Sequence, residues 1–216
     1  MKVLTITLCI LVGACTGQQR PTPGPTSPST RYRVGDFVVY QYEGMYTEQP
    51  VVFREEIRAQ EGNRLRIDIR VVRGEEERRW TQVVTDTPEN QRNNVIDALY
   101  EWQSHRVVQL ANESSRDLLR LYEWTIIIPD GRATDVQSAP CGRELGDTRF
   151  ACTCTSGRNT WRGKTIRFED SKCSEFLWTN GPGRFWEEAT GLDVLSVQVV
   201  EFGHQLGLAT RPMDPR

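Results

Sequence analysis

Four cysteines in the last third of the chain are the residues whose type and spacing point most directly to chemistry. They are Cys141, Cys152, Cys154 and Cys173. Four thiolates bind zinc in many small domains, but no two of these are separated by the two-residue gap usual in zinc ribbons and fingers. A Cys-x-Cys pair can also be redox-active, whereas an even number of cysteines in an exported domain most often forms disulfides. The sequence therefore predicts two disulfides and no metal site.

The pairing of these cysteines is restricted by the strand on which two of them are predicted to lie. Cys152 and Cys154 are two residues apart, and alternate residues of a strand face the same way. Each is therefore expected to bond to a different partner, one to Cys141 and the other to Cys173.

The remaining groups that commonly catalyse reactions are scattered. His105 and His204 lack the spacing of a helical metal site, and no serine has the context of a nucleophile elbow. Glu187 and Glu188 are adjacent, and adjacent strand residues point to opposite faces, so they are not expected to flank one sugar bond. The sequence predicts no catalytic residue and no cofactor; an enzyme whose site is assembled only in the fold is an alternative.

Six tryptophans offer large flat surfaces that stack on sugars or grip a ligand. In a β-rich domain such side chains more often fill the interior, so the core is their expected place, and the alternative puts one or two of them at a binding surface. They are Trp80, Trp102, Trp124, Trp161, Trp178 and Trp186.

The first residues have the layout of a signal peptide. Lys2 precedes an apolar run over 3–12, too short to remain as a membrane-spanning helix. The order Leu11-Val12-Gly13-Ala14-Cys15 resembles the lipobox of bacterial lipoprotein precursors. The resemblance implies removal of residues 1–14, a lipid on Cys15 and anchoring to a membrane in the cell envelope. Thr16, in place of an aspartate, implies the outer membrane if the cell is Gram-negative.

The rest of the chain divides into a spacer and one body. Residues 16–30 are rich in Pro, Thr, Ser and Gly and contain no large apolar residue, so they are expected to act as an extended tether. Residues 31–216 suit one globular domain. The chain carries 27 basic and 29 acidic residues and a net charge of −2, which gives no support to a nucleic-acid partner.

Alternating apolar residues predict strands through most of the body. Val51, Phe53 and Ile57, then Leu65 to Val71, alternate with charged residues, so the first half is expected to be an antiparallel meander with one wet face. Further strands are predicted over 37–43, 76–85, 149–155, 164–168, 175–179, 184–188 and 194–202. A helix is predicted over 88–104, while 107–128 fits either state, with a strand-like end at 124–128. The predicted fold is mainly β (α+β), a twisted antiparallel sheet or half-barrel with one packed helix.

The sequence predicts a non-catalytic interaction or scaffolding module, with a carrier or acceptor of a hydrophobic ligand as the alternative. If the helix over 88–104 covers the aliphatic face of the sheet, the domain has no apolar groove. It then binds or scaffolds an envelope protein or polysaccharide through its outer surface. If the sheet stays partly open, it carries or accepts a lipid or another hydrophobic ligand. The strand pattern of the first half of the body resembles the half-open barrels that do so in the bacterial envelope.

Overall fold

The computed structural model describes residues 32–93, 95–104, 106–110, 115–145, 147–173 and 182–205. Within these residues eleven strands form a single open sheet accompanied by two short helices. In chain order the elements are β1 (Asp36–Glu43), β2 (Val51–Glu61), β3 (Arg64–Arg73), β4 (Glu76–Thr85), α1 (Pro88–Asn93), β5 (Ala98–Gln103), β6 (Arg106–Leu110), α2 (Ser115–Tyr122), β7 (Thr134–Leu145), β8 (Thr148–Trp161), β9 (Lys164–Cys173), β10 (Gly183–Glu187) and β11 (Asp193–His204). The mainly β, antiparallel fold is confirmed, although two short helices fit an α+β description only loosely.

The sheet consists of two meanders joined side by side. The strand order is β6-β5-β4-β3-β2-β1-β11-β10-β9-β8-β7, so the chain leaves one edge at β6 and re-enters at the opposite edge with β7. The two meanders meet where β1 pairs antiparallel with β11, from Asp36 opposite His204 to Glu43 opposite Ser196. Strands from both ends of the described chain therefore form the middle of the sheet.

The strands predicted in the first half are confirmed, and the alternation sets which face is buried. On β2 and β3, Phe53 lies opposite Val71 and Ile57 opposite Ile67, and all four side chains are buried. Since charged residues occupy the intervening positions, one face of the sheet packs into the core and the other meets water.

The helix predicted over 88–104 is wrong beyond its first turns. Thr87 caps α1, with its Oγ1 accepting a hydrogen bond from the backbone N–H of Asn90 at 3.1 Å. The helix ends at Asn93, and 98–103 forms β5 instead, where Leu99 pairs with Gln82 of β4. The spacing of apolar residues in this segment satisfies either state, and the free edge of β4 provides a hydrogen-bonded partner that an isolated helix lacks.

The stretch over 107–128 contains both kinds of element. Residues 107–110 belong to β6 and 115–122 to α2, while the strand-like prediction for 124–128 is wrong. Thr125 ends α2 by donating from both its backbone N–H and its Oγ1 to the carbonyl of Tyr122, at 2.8 and 3.0 Å. These two hydrogen bonds satisfy the carbonyl of the last helical residue.

The last third contains four of the predicted strands and one that was missed. β8, β9, β10 and β11 correspond to the predictions, whereas 175–179 lies outside the described residues. β7 was not predicted, because its residues 134–140 are all exposed and show no alternation. Pro140 lies within it, as an edge strand permits.

The buried face changes along the β8–β9 ribbon. Near the start of β8 the buried residues are Phe150 and Cys152, at even positions, whereas beyond Cys154 odd positions such as Gly157 become half-buried. The pairing from Cys152 opposite Cys173 to Trp161 opposite Lys164 keeps a continuous register. The ribbon therefore exchanges its buried face by twisting rather than by a bulge.

Candidate functional site

The four predicted cysteines form two disulfides on three neighbouring strands. Cys152 of β8 bonds to Cys173 of β9, which lies directly opposite, and Cys141 of β7 bonds to Cys154 of β8. Cys141 lies opposite Cys152 in the register, so its bond to Cys154 is diagonal. The prediction that Cys152 and Cys154 reach different partners is confirmed, and the thiols required by the zinc and redox alternatives are used in the bridges.

The other residues considered for chemistry are paired in separate places. His204 Nδ1 lies 2.9 Å from Asp36 Oδ1, while His105 lies outside the described residues. Glu187 binds Lys164 at 2.9 Å and Glu188 binds Arg158 at 3.0 Å. The two glutamates thus engage different cations. Across the described ranges, no group of three or more His, Cys, Asp or Glu residues is placed to hold a metal ion.

The most unusual feature of the fold is a group of aromatic rings on the buried face of β1 to β4, which the sequence pattern did not predict. The Phe53 ring lies at its centre, with ring centroids 6.2 Å from Tyr40, 6.0 Å from Tyr42, 6.0 Å from Trp80 and 5.9 Å from Tyr122. The four residues on the strands are at most 1% exposed. We call these five side chains the aromatic interior.

The four strand residues of the aromatic interior are covered by α2 and the turn that follows it, 115–125, which we call the cover and which contributes Tyr122, the fifth ring. Leu118, Leu121 and Tyr122 lie three and four residues apart, so they share one side of the helix and pack on the sheet. The Tyr122 hydroxyl accepts a hydrogen bond from Gln82 of β4. Tyr46 donates from its own hydroxyl to the carbonyl of Trp124 at 2.8 Å.

The end of the cover is held at the rim of the sheet by arginines. The indole of Trp124 lies near the guanidinium groups of Arg73 and Arg78, 4.2 and 3.9 Å from the ring centroid. Arg78 also donates to the carbonyl of Arg120 at 2.7 Å and binds the carboxylate of Glu123 at 2.6 Å. Ion pairs that water reaches contribute little, about 0 to 1 kcal/mol each. Burial of the cover's apolar side therefore supplies most of its attachment.

Polar atoms without hydrogen-bond partners lie inside the aromatic interior. Tyr42 Oη and Trp80 Nε1 are fully buried and have no partner among the described residues. The side chain of Glu55, also buried, lies on the same face of β2 as Phe53. Burial, followed by the charge of Glu55, raises the pKa of the Tyr40 and Tyr42 hydroxyls far above the usual value. Since buried polar groups in folded proteins are nearly all hydrogen-bonded, the two donors call for an explanation.

One sequence signal for this region was available. Val51, Phe53 and Ile57 predict that odd positions of β2 face the core, and Glu55 occupies one of these positions. An acidic residue at an inward position of an alternating strand is an exception to the pattern and marks a polar site inside the core. The position of Trp124 at the end of the cover was not predicted, because residues 124–128 were predicted to be strand-like.

The tryptophans divide between the interior and the surface. Trp80 and Trp124 are buried, whereas Trp102 lies on β5 with its Nε1 donating to Thr81 Oγ1 at 3.0 Å and 37% of the residue exposed. Trp161 and Trp186 are half-buried beside arginines, and Trp178 lies outside the described residues.

Comparison with known proteins leaves the family open. No protein-family model matches the sequence, and no match is found among curated proteins. Among solved structures, the chain is similar to the hypothetical protein CT021 from Chlamydia trachomatis, with 9% identity and a TM-score of 0.38 over 80% of this chain and 88% of that one. Neither helix of the described part is long and apolar enough to cross a membrane.

Proposed function

We propose that the protein is a lipid-anchored, non-catalytic carrier or acceptor of a hydrophobic ligand in the cell envelope. The observation that supports a carrier is the small size of the cover. The sequence predicts that a long helix over 88–104 closes the core, but the aromatic interior lies instead beneath an eight-residue helix and a turn. In this proposal a ligand that displaces this small cover contacts the apolar and aromatic side chains on the buried face of the sheet.

The shape that we propose for this carrier is a half-barrel. An open antiparallel sheet with a helix on its buried face supports that shape, because right-handed twist over many strands curls a sheet around whatever packs inside it. In this proposal the cover occupies the hollow when the ligand is absent. Entry of the ligand requires the cover to swing outward about its two ends.

Localisation to the cell envelope and the lipid anchor on Cys15 are part of the same proposal. They are supported by the signal-like run over 3–12 and by the lipobox resemblance ending at Cys15. The two disulfides add support, since disulfides persist in the oxidising compartments outside the cytosol. A tether over 16–30 gives the body enough reach to meet ligand at the membrane surface.

An interaction or scaffolding module is the second candidate, and a specific observation favours it. The strand residues of the aromatic interior are closed off from solvent. Trp102, in contrast, holds its ring on the outer face through its hydrogen bond to Thr81. In this alternative the outer face binds an envelope protein or polysaccharide.

Fractionation of a Cys15→Ser variant tests the anchor. Serine accepts no thioether-linked lipid, so the variant is expected in the soluble fraction or as an uncleaved precursor. A variant that is processed and stays with the membranes as the parent does contradicts the lipid anchor. Its soluble form also provides material for the ligand test.

Native mass spectrometry of soluble Cys15→Ser protein, purified without detergent, tests the carrier. A stoichiometric hydrophobic molecule, or saturable binding of a pyrene-labelled fatty acyl methyl ester, is expected. The control is Trp102→Ala, which changes the outer face and leaves the interior intact. A ligand-free protein that binds no probe contradicts the carrier. If Trp102→Ala binds the probe as the parent does but no longer binds an envelope protein or polysaccharide that the parent binds, the interaction module is favoured.

A further inference from the structure

We infer that the cysteines of β7, β8 and β9 form a thiol–disulfide exchange site, in which an external dithiol opens one bridge and the exchange then passes to the other. The inference goes beyond the proposed carrier and does not depend on it. Three of the cysteines lie side by side across neighbouring strands, because Cys152 is directly opposite Cys141 on one side and Cys173 on the other. We call Cys141, Cys152 and Cys173 the cysteine row.

The register places the side chains of the cysteine row on one face of the sheet. Directly opposite residues of antiparallel strands share a face, and their Cβ atoms lie about 4.5 to 5.5 Å apart. Cys152, the middle member, bonds to Cys173, and we call this the inner bridge. Cys141 bonds instead to Cys154, two residues further along β8, and we call this the outer bridge. Cys141 therefore lies beside the inner bridge without belonging to it.

The two bridges differ in how far solvent reaches them. Cys152 and Cys173 are 7% and 4% exposed, whereas Cys141 and Cys154 are half-buried, and Cys141 lies on the edge strand β7. Exchange requires a thiolate to reach a sulfur of the bridge that it attacks. An external dithiol is therefore expected to open the outer bridge first. In that step the dithiol is oxidised to its own disulfide, and Cys141 and Cys154 are reduced to thiols.

Once the outer bridge is open, Cys141 is placed to exchange with the inner bridge. In such a displacement the attacking, attacked and leaving sulfurs lie near one line. The strand order β7, β8, β9 puts Cys141 and Cys173 on opposite sides of Cys152, which is that arrangement. The Cys141 thiolate bonds to Cys152 Sγ, the bond from Cys152 to Cys173 breaks, and Cys173 leaves as a thiolate that takes up the proton released by Cys141. Cys154 lies on the same strand as Cys152 and is outside this line.

Two matched variants test the exchange step. Both are made in oxidised protein that also carries Cys9→Ser and Cys15→Ser, so that only cysteines of the two bridges remain. Cys154→Ser leaves a free thiol on Cys141, inside the row. Cys141→Ser leaves a free thiol on Cys154, outside the row, and is the control.

The position of the free thiol after incubation at pH 8 is the readout. Thiols are trapped with N-ethylmaleimide and located by mass spectrometry of tryptic peptides, since the three cysteines of the row fall on three different peptides. The Cys154→Ser protein is expected to divide its thiol between Cys141 and Cys173, with at least about one tenth of the molecules carrying a bond from Cys141 to Cys152. The Cys141→Ser protein is expected to keep its thiol on Cys154.

A Cys154→Ser protein whose thiol stays on Cys141 overturns the exchange site. Equal exchange in Cys141→Ser overturns it as well, because unfolding rather than the row then brings the sulfurs together. Protein that retains both bridges provides a second measurement, in which one equivalent of dithiothreitol is added before trapping. Cys152 is expected to stay unmodified, since it is bonded to either Cys173 or Cys141 throughout. Modification of Cys152 by the first equivalent shows that the inner bridge opens first and contradicts the inference.

Discussion

Replacing two tyrosines of the aromatic interior by phenylalanine is expected to change stability in opposite directions. The Tyr42 hydroxyl is buried without a partner, so ligand-free protein carries its desolvation cost. Removing such a group recovers about 1 kcal/mol, and Tyr42→Phe is expected to raise the free energy of unfolding by that amount. The Tyr122 hydroxyl accepts a hydrogen bond from Gln82, which is itself buried. Tyr122→Phe leaves that amide unsatisfied and is expected to lower the free energy of unfolding by about 1 to 2 kcal/mol.

Guanidinium chloride unfolding of ligand-free protein with intact disulfides measures both effects. The midpoints of the two variants are expected to move to opposite sides of the parent, with equal slopes of free energy against denaturant. Both variants keep the ring contacts, so the difference between them isolates the hydroxyl groups. A Tyr42→Phe protein that is destabilised as much as Tyr122→Phe refutes the assignment of an unpartnered hydroxyl.

Three further changes test one of the disulfides, the carboxyl group of Asp170 and the turn at Gly44. Replacing Cys152 and Cys173 together by alanine opens a loop with a sequence separation of 21 and is expected to cost about 3 kcal/mol of stability by chemical denaturation. Partial desolvation raises the pKa of the Asp170 carboxyl, although the residue is exposed, so its ionised form slightly disfavours the folded state above that pKa. Asp170→Asn is therefore expected to be neutral or slightly stabilising at pH 7, with the difference vanishing in acid, and a variant that is less stable only at neutral pH contradicts this. Gly44 has a φ of 133°, and a Cβ there would lie 2.4 Å from the carbonyl oxygen of Val194. Gly44→Ala is therefore expected to lower the melting temperature markedly, and an unchanged melting temperature would show that the turn relaxes.

The first meander was predictable because a single physical rule governs it. In a strand with one buried and one solvent-exposed face, apolar and polar residues must alternate. The residues from Leu65 to Val71 alternate in this way without exception. The prediction failed for β5, where Leu99 and Trp102 satisfy helical spacing as well as a strand. The presence of an unpaired neighbouring edge decided between the two states, and sequence spacing alone carries no information about that edge.

The candidate site was less accessible to sequence reasoning than the fold. Cysteine pairing followed from local strand geometry, as Cys152 and Cys154 show. The aromatic interior instead joins Tyr42, Trp80 and Tyr122, which come from three distant elements and meet only through the strand order and the path of α2. The missed edge strand β7 has a similar cause, since an exposed edge imposes no apolar alternation.

The seam between β1 and β11 has a consequence for how fast the protein folds. Asp36 and His204 face each other across it, although 168 positions separate them in sequence. Hairpins such as β2–β3 close over short turns and form early, whereas the seam must wait for the largest loop in the sheet to close. During synthesis β1 therefore presents an open edge until β11 has emerged, which exposes this edge to mispairing. Refolding of the purified protein is expected to be limited by this one pairing step.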